Sequence, residues 1–203
     1  MKYVHDAISN ELRDAIYNHN VKAGWWDEPV RPDGTTIALI HSEVTESWLG
    51  LKNNDRQDDH LPQYKNAVVE LGDAVIRILD FFGHKKWDVE EALAIVYSMG
   101  REVNLDKLQL NADYYCDIHA QISLGLEGVR KNQYMELISP NETDPGYSFP
   151  VAAFELAIAL DMIYACREWG WPLETAIGDK RAYNANRADH KRENRAKEGG
   201  KKF

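Results

Sequence analysis

The chain has 203 residues, 44% hydrophobic and 28% charged, a composition that suits a globular protein with one sizeable core and excludes a disordered or fibrous one. Its net charge of −9 is uneven: residues 178–203 carry nine Lys/Arg against four Asp/Glu, leaving 15 basic and 29 acidic side chains on an acidic body, which argues against broad nucleic-acid binding. No run approaches the roughly 20 apolar residues that span a bilayer, the N-terminal MKYVHDAISNELRD has no apolar signal-like stretch, and Cys116 and Cys166 form neither a disulfide framework nor a zinc spacing, so a cytoplasmic protein without membrane partners is expected.

Almost every long segment reads with helical period. Residues 4–21 place Ala7, Ile8, Leu12, Ala15 and Ile16 on one helix face. A breaker-rich stretch from Gly24 to Gly34 follows. Thr35 or Thr36 then suits the N-cap of a second helix, with Ile37, Ile40, Val44, Trp48 and Leu51 inside. After a polar loop over residues 53–62, a third helix buries Val68, Leu71, Val75, Ile78, Leu79 and Phe82 and stops near Gly83. A fourth starts on Asp88 as cap, with Glu90 and Glu91 in its first turn. Further helices are expected over residues 112–130, 151–169 and 173–187, with the strongest break at SPNETDPGYSFP, residues 139–150. No segment alternates convincingly as a strand. The expected fold class is all-α.

An internal repeat accompanies this pattern. IHSEVTESWLGLKNN (residues 40–54) aligns with IHAQISLGLEGVRKN (residues 118–132). In the same order, Glu70-Leu71, Ala74 and Ile78 match Glu155-Leu156, Ala159 and Ile163, and Trp87–Leu93 matches Trp171–Ile177. A tandem duplication is therefore expected: a pseudo-dimer of two helical halves, residues 1–100 and 101–203, forming one unit.

The chemistry is concentrated in the first half. Glu43 and Glu46 on the second helix, and Glu70 and Asp73 on the third, are each spaced i, i+3, which puts both carboxylates of a pair on one face. Either pair alone suits a solvated helix face equally well. Together on adjacent helices, four carboxylates repel unless a hard cation such as Mg²⁺ lies between them. A di-iron bundle is set aside, because no Glu here has a His three residues later. Arg77 and Asp80 continue the face of Glu70 and Asp73, either as support for the cluster or as an ion pair. His41 and His119 occupy equivalent repeat positions, which favours helix packing over metal ligation.

The second half keeps Glu155 but has Gln121, Leu124 and Ile158 where the first has Glu43, Glu46 and Asp73. It contributes instead Lys180, Tyr183, Asn184 and Arg187 at helical spacing, suited to phosphate oxygens and to a sugar or base. Residues beyond His190 read as a solubilising basic tail. Acids in one half and bases in the other imply one composite site per chain.

IHSEVTE…VVELGDAVIRILD resembles the E-E-x-x-E…E-x-x-D signature of the MazG-like all-α nucleoside triphosphate pyrophosphohydrolases, and both AGWW before the acidic helix and the ending KRAYNANRADHKRENR…GGKKF are similar to phage and bacterial members. The likeness covers residues 23–80 and 173–203. It implies a MazG-like bundle in which Glu43, Glu46, Glu70 and Asp73 are catalytic metal ligands for Mg²⁺, with Mn²⁺ as a substitute. It implies a (d)NTP, purine dNTPs included, cleaved to the (d)NMP and pyrophosphate in the cytoplasm, the host's if the protein is phage-encoded. Lys180 and Arg187 would then bind the β- and γ-phosphates, and Trp25 or Trp26 would stack on the base unless the pair is a hydrophobic plug. Family members assemble as oligomers, so a homodimer or a pseudo-dimeric monomer is expected. One position departs from the signature: Ser42 stands at its first Glu, where members activate water. A dUTPase- or dCTPase-like activity, and a non-catalytic nucleotide- or partner-binding protein, are the alternative readings.

Overall fold

The computed structural model describes residues 7–27, 29–53, 56–107, 109–138 and 146–195. Local capping chemistry sets the start of three of the helices. Helix α1 (Asn10–Lys22) begins where the Ser9 hydroxyl accepts from the Leu12 amide, later than the periodicity suggests; residues 1–6 lie outside the described set. Helix α2 (Asp33–Lys52) starts ahead of the expected Thr35 or Thr36 cap, because the Pro32 carbonyl accepts from both threonine amides and Asp33 favours the first turn. Helix α3 (Asn66–Lys85) runs past Gly83 and ends at left-handed Lys86. Helix α4 (Val89–Ser98) is capped by Asp88, which accepts from the Glu91 amide, and α5 (Ala112–Arg130) by Asn111, which accepts from Tyr114.

The expectation of no strand is corrected between α5 and the next helix. There β1 (Tyr134–Leu137) pairs antiparallel with β2 (Tyr147–Pro150), Tyr134 opposite Pro150 and Leu137 opposite Tyr147. Four residues per strand are too few for a period-2 pattern to stand out. Helix α6 (Val151–Tyr164) continues as a 3₁₀ turn (Ala165–Trp169), and α7 (Leu173–Asn186) precedes a single-turn α8 (Arg192–Arg195). The GGKKF ending falls outside the described residues.

Helices α3 and α6 form the middle of the bundle. Fourteen residues of α3 are buried, and every residue of α6 from Ala152 to Tyr164 except Glu155, so α6 is apolar all round rather than striped. Helix α2 packs on α3, and α5 packs on α6. Contacts between the two groups are crossed: α4 lies on α6, α7 lies on α3, and α2 meets α5. At the α2–α5 contact His41 and His119 stack with ring centroids 5.0 Å apart and Nδ1 atoms 2.7 Å apart, and burial lowers both pKa values. The Ser47 hydroxyl donates to the Ala67 carbonyl, 2.7 Å away, and lies 2.9 Å from the Tyr115 hydroxyl, which pins α2, α3 and α5 together.

Gly83 lets α1 approach α3. A Cβ there would stand 2.7 Å from Tyr17 Cγ and closer still to Tyr17 Cβ. Gly83→Ala is therefore expected to destabilise the fold by about 1–3 kcal/mol through overpacking, despite the better helix propensity of Ala. Denaturant unfolding measures this; a variant as stable as the wild type contradicts the close approach.

Candidate functional site

The acidic faces of α2 and α3 meet as their spacing requires. One oxygen each from Glu43, Glu46 and Glu70 lies within 4.8 Å of the others, with Glu43 buried, Glu46 exposed and Glu70 between. Asp73 lines the same cleft, a cavity of about 430 Å³, but its carboxylate is held by Lys180 Nζ at 2.8 Å. Arg77 Nε donates to Glu43 Oε1 at 2.5 Å, so of the two roles open to Arg77 it takes the supporting one. Asp80 makes no ion pair with it among the described contacts and instead accepts from Trp26 Nε1, 3.0 Å away.

The electrostatics follow from crowding and burial. Burial raises the Glu43 pKa, assisted by Asp73 and Glu46 and opposed by Arg77. Burial, with Asp73 next, pushes Glu70 up to about 8. Burial also raises Asp80, to about 6, against the Trp26 and Asn20 hydrogen bonds. Lys180 is only 6% exposed; burial favours its neutral form, but Asp73, Glu70 and Asp58 more than offset this and raise its pKa. Carboxylates that resist ionisation while facing one another, with oxygen as their only donor atom, fit a hard divalent cation and disfavour a soft one. The donor set thus fits Mg²⁺ or Mn²⁺, held by Glu43, Glu46 and Glu70 with Asp73 alongside.

The basic residues divide. Lys180, Asn184 and Arg187 of the second half line the cleft, as does Trp25, whose ring meets His190 edge-on with centroids 5.2 Å apart. Trp26 does not. It stacks on His84 at 3.9 Å and 6°, under the Arg31 guanidinium. Tyr183 is likewise outside the cleft lining: it packs on His60, centroids 4.9 Å apart, and carries the Arg187 guanidinium at 5.7 Å. Both rings are half-buried and pack against side-chain neighbours beside the cleft rather than lining it.

Four contributors, Arg31, His60, Asp58 and Asn66, escaped sequence reasoning. Arg31, 6% exposed, reaches the cleft from the Pro29–Pro32 stretch, where no periodicity marks it. His60 reaches it from the α2–α3 loop. That loop is shaped by Asp58, which accepts from the His60 and Leu61 amides at 2.9 Å and from Asn66 Nδ2 at 3.1 Å. Despite burial, these bonds keep the Asp58 pKa low. Asn66 also donates to Glu70 Oε1 at 2.8 Å, joining loop and cluster. The Asp58-x-His60 turn, with Asn66 opening the next helix, is the only signal that was available. Ser42, at the departing signature position, lines the cleft and donates its hydroxyl proton to the Leu39 carbonyl. No helix among the described residues is long and apolar enough to cross a membrane.

No family model, curated protein or solved structure matches this chain.

Proposed function

We propose that the protein is a Mg²⁺-dependent (d)NTP pyrophosphohydrolase that releases pyrophosphate and a (d)NMP, built on a MazG-like bundle and acting on nucleotide pools in a phage or bacterial setting. One observation carries the reading: Glu43, Glu46 and Glu70 converge on a cleft whose lining also includes Lys180, Arg31 and Arg187. Acids and cations in one cleft suit a polyphosphate approached by a divalent ion. A site for a cation alone needs no such cations, and a phosphate clamp alone needs no such acids.

In this reading the ion supplies charge neutralisation at the α-phosphate and activation of water. Lys180, already 2.8 Å from Asp73, spans the acidic wall and the phosphates, so it orients Asp73 while offsetting charge on the departing pyrophosphate. Arg31 and Arg187, which line the same cleft, clamp phosphate oxygens. Arg77 fixes the Glu43 rotamer, and Asn66 that of Glu70. Ser42 has no carboxylate to take a proton, so the base falls to the acids of the cluster.

The crossed packing of α4 on α6 and α7 on α3 supports a tandem duplication, as does the meeting of His41 with its repeat equivalent His119. Gly50 and Gly128, equivalent in the repeat, both approach a backbone amide opening the next helix, Ala67 and Ala152. In this arrangement α7 of the second half brings Lys180 to the acids of the first, giving one composite site.

A panel of dATP, dGTP, dCTP, dTTP, dUTP and ribonucleotides with Mg²⁺ or Mn²⁺ tests the proposal, with pyrophosphate and monophosphate quantified. Equimolar release of both from at least one substrate is expected, and none with a chelator present. Orthophosphate with a diphosphate as products, or no turnover at all, contradicts it; binding without turnover favours the non-catalytic alternative.

A further inference from the structure

Beside the acidic cleft lies a second cavity of about 350 Å³, between α1 and α7 over Ile76 of α3. Its size falls within the ~300–1,000 Å³ typical of small-molecule sites. The two cavities share His19, Asn20, Ile76 and Asn184 in their linings, so they adjoin one another. Their chemistry differs. The first is lined chiefly by ionic groups; the second combines apolar surfaces from Ile16, Ile76 and Ala182 with Arg181, His19 and carboxamides at the junction. Asn184 Oδ1 is buried there without a hydrogen-bond partner, an acceptor that calls for an N–H donor. Asn20, by contrast, is held in place by its hydrogen bond to Asp80.

We infer that this α1–α7 crevice receives the nucleobase, with Asn184 Oδ1 accepting from an N–H on the base edge. The assignment rests on the pyrophosphohydrolase reading, since only a nucleotide whose phosphates occupy the ionic chamber delivers a ring to the adjoining one. A base has two apolar faces and a polar edge. The crevice has apolar surfaces, one unanswered acceptor, and the donors of Arg181 and His19 at its edge. Nucleotide discrimination is therefore set by α1 and α7.

Gly178 gives a clean test. A Cβ added there meets no atom within 4 Å, so Gly178→Leu grows into the open crevice without displacing protein, and its helix propensity favours folding. Non-hydrolysable α,β-imido analogues of dATP, dGTP, dCTP and dUTP are titrated calorimetrically with Mg²⁺, beside inorganic tripolyphosphate, which has no base. In the wild type, at least one analogue is expected to bind tenfold or more tightly than tripolyphosphate. Gly178→Leu is expected to erase that advantage while leaving tripolyphosphate affinity unchanged, and Asn184→Leu to flatten the preference among the four bases. Unchanged analogue affinities in Gly178→Leu overturn the inference. So does a parallel loss of tripolyphosphate binding with the fold intact by circular dichroism, since the crevice then serves phosphates. Absence of Mg²⁺-dependent tripolyphosphate binding in the wild type instead overturns the pyrophosphohydrolase reading itself.

Discussion

Glu43→Gln is expected to lower Mg²⁺-dependent pyrophosphate release by at least ~10³-fold, as loss of about 4 kcal/mol of transition-state stabilisation implies. Glu43 is the most buried of the three converging acids, and its Oε1 already receives Arg77. Glutamine preserves volume and the acceptor for Arg77, but it removes the negative charge that faces Glu46 and Glu70. Asp73→Asn is expected to act in the same direction, with the added effect of leaving buried Lys180 without its carboxylate partner. Helix content by circular dichroism should stay at the wild-type level in both variants, because neither side chain belongs to the apolar core. Turnover near wild type from either variant, measured with the preferred substrate at saturating Mg²⁺, contradicts the metal assignment.

Saturating Mg²⁺ is expected to stabilise the wild type at pH 8 and to do little for Glu70→Gln. At a hundredfold excess over Kd a single ligand contributes about 2.7 kcal/mol. For a protein of this size that raises Tm by about 5–11 °C. Without metal, the sign with pH is unusual for a carboxylate. Burial and the neighbouring Asp73 hold the Glu70 proton to about pH 8, against an ordinary 4.5. Between those values the unfolded chain has released a proton that the folded chain retains, so this group makes stability fall as pH rises. Glu70→Gln removes that titration and keeps an amide oxygen for Asn66. The metal-free variant should therefore match or fall below the wild type near pH 4.5 and exceed it at pH 8, and thermal melts across that range measure the crossing. A Mg²⁺ shift of equal size in both proteins places the ion elsewhere; a metal-free wild type that gains stability from pH 5 to 8 relative to Glu70→Gln contradicts the burial of that carboxyl.

Sites of this kind hold charges that work against the fold. Glu43, Glu70 and Asp80 all have raised pKa values in one corner of the bundle, whereas Asp58 is kept low by Asn66, two backbone amides and Lys180. Hydrogen-bond supply contributes to the difference, together with the weaker desolvation of Asp58. Asp58 is satisfied by its own turn, so it shapes a loop. Glu70 is left with one amide donor and three carboxylate neighbours, so it is suited to receive a cation.

Much of the helical frame was readable from residues alone. Asp88 ends up as the cap of α4, and the apolar stripe of the third helix, from Val68 to Phe82, is the buried one. The Glu43/Glu46 and Glu70/Asp73 spacings also reported truthfully that each pair shares a face. Periodicity and capping are local interactions between residues three or four apart, and a sequence displays them directly. What those residues do was decided by neighbours far along the chain. Asp73 lies beside Lys180 of α7, Arg31 enters from a stretch without period, Trp26 is stacked on His84, and the crevice exists only where α1 passes α7. A charge or ring in sequence carries no record of which partner will satisfy it. Only close packing of the bundle, which leaves some groups paired and Asn184 Oδ1 unanswered, makes that choice.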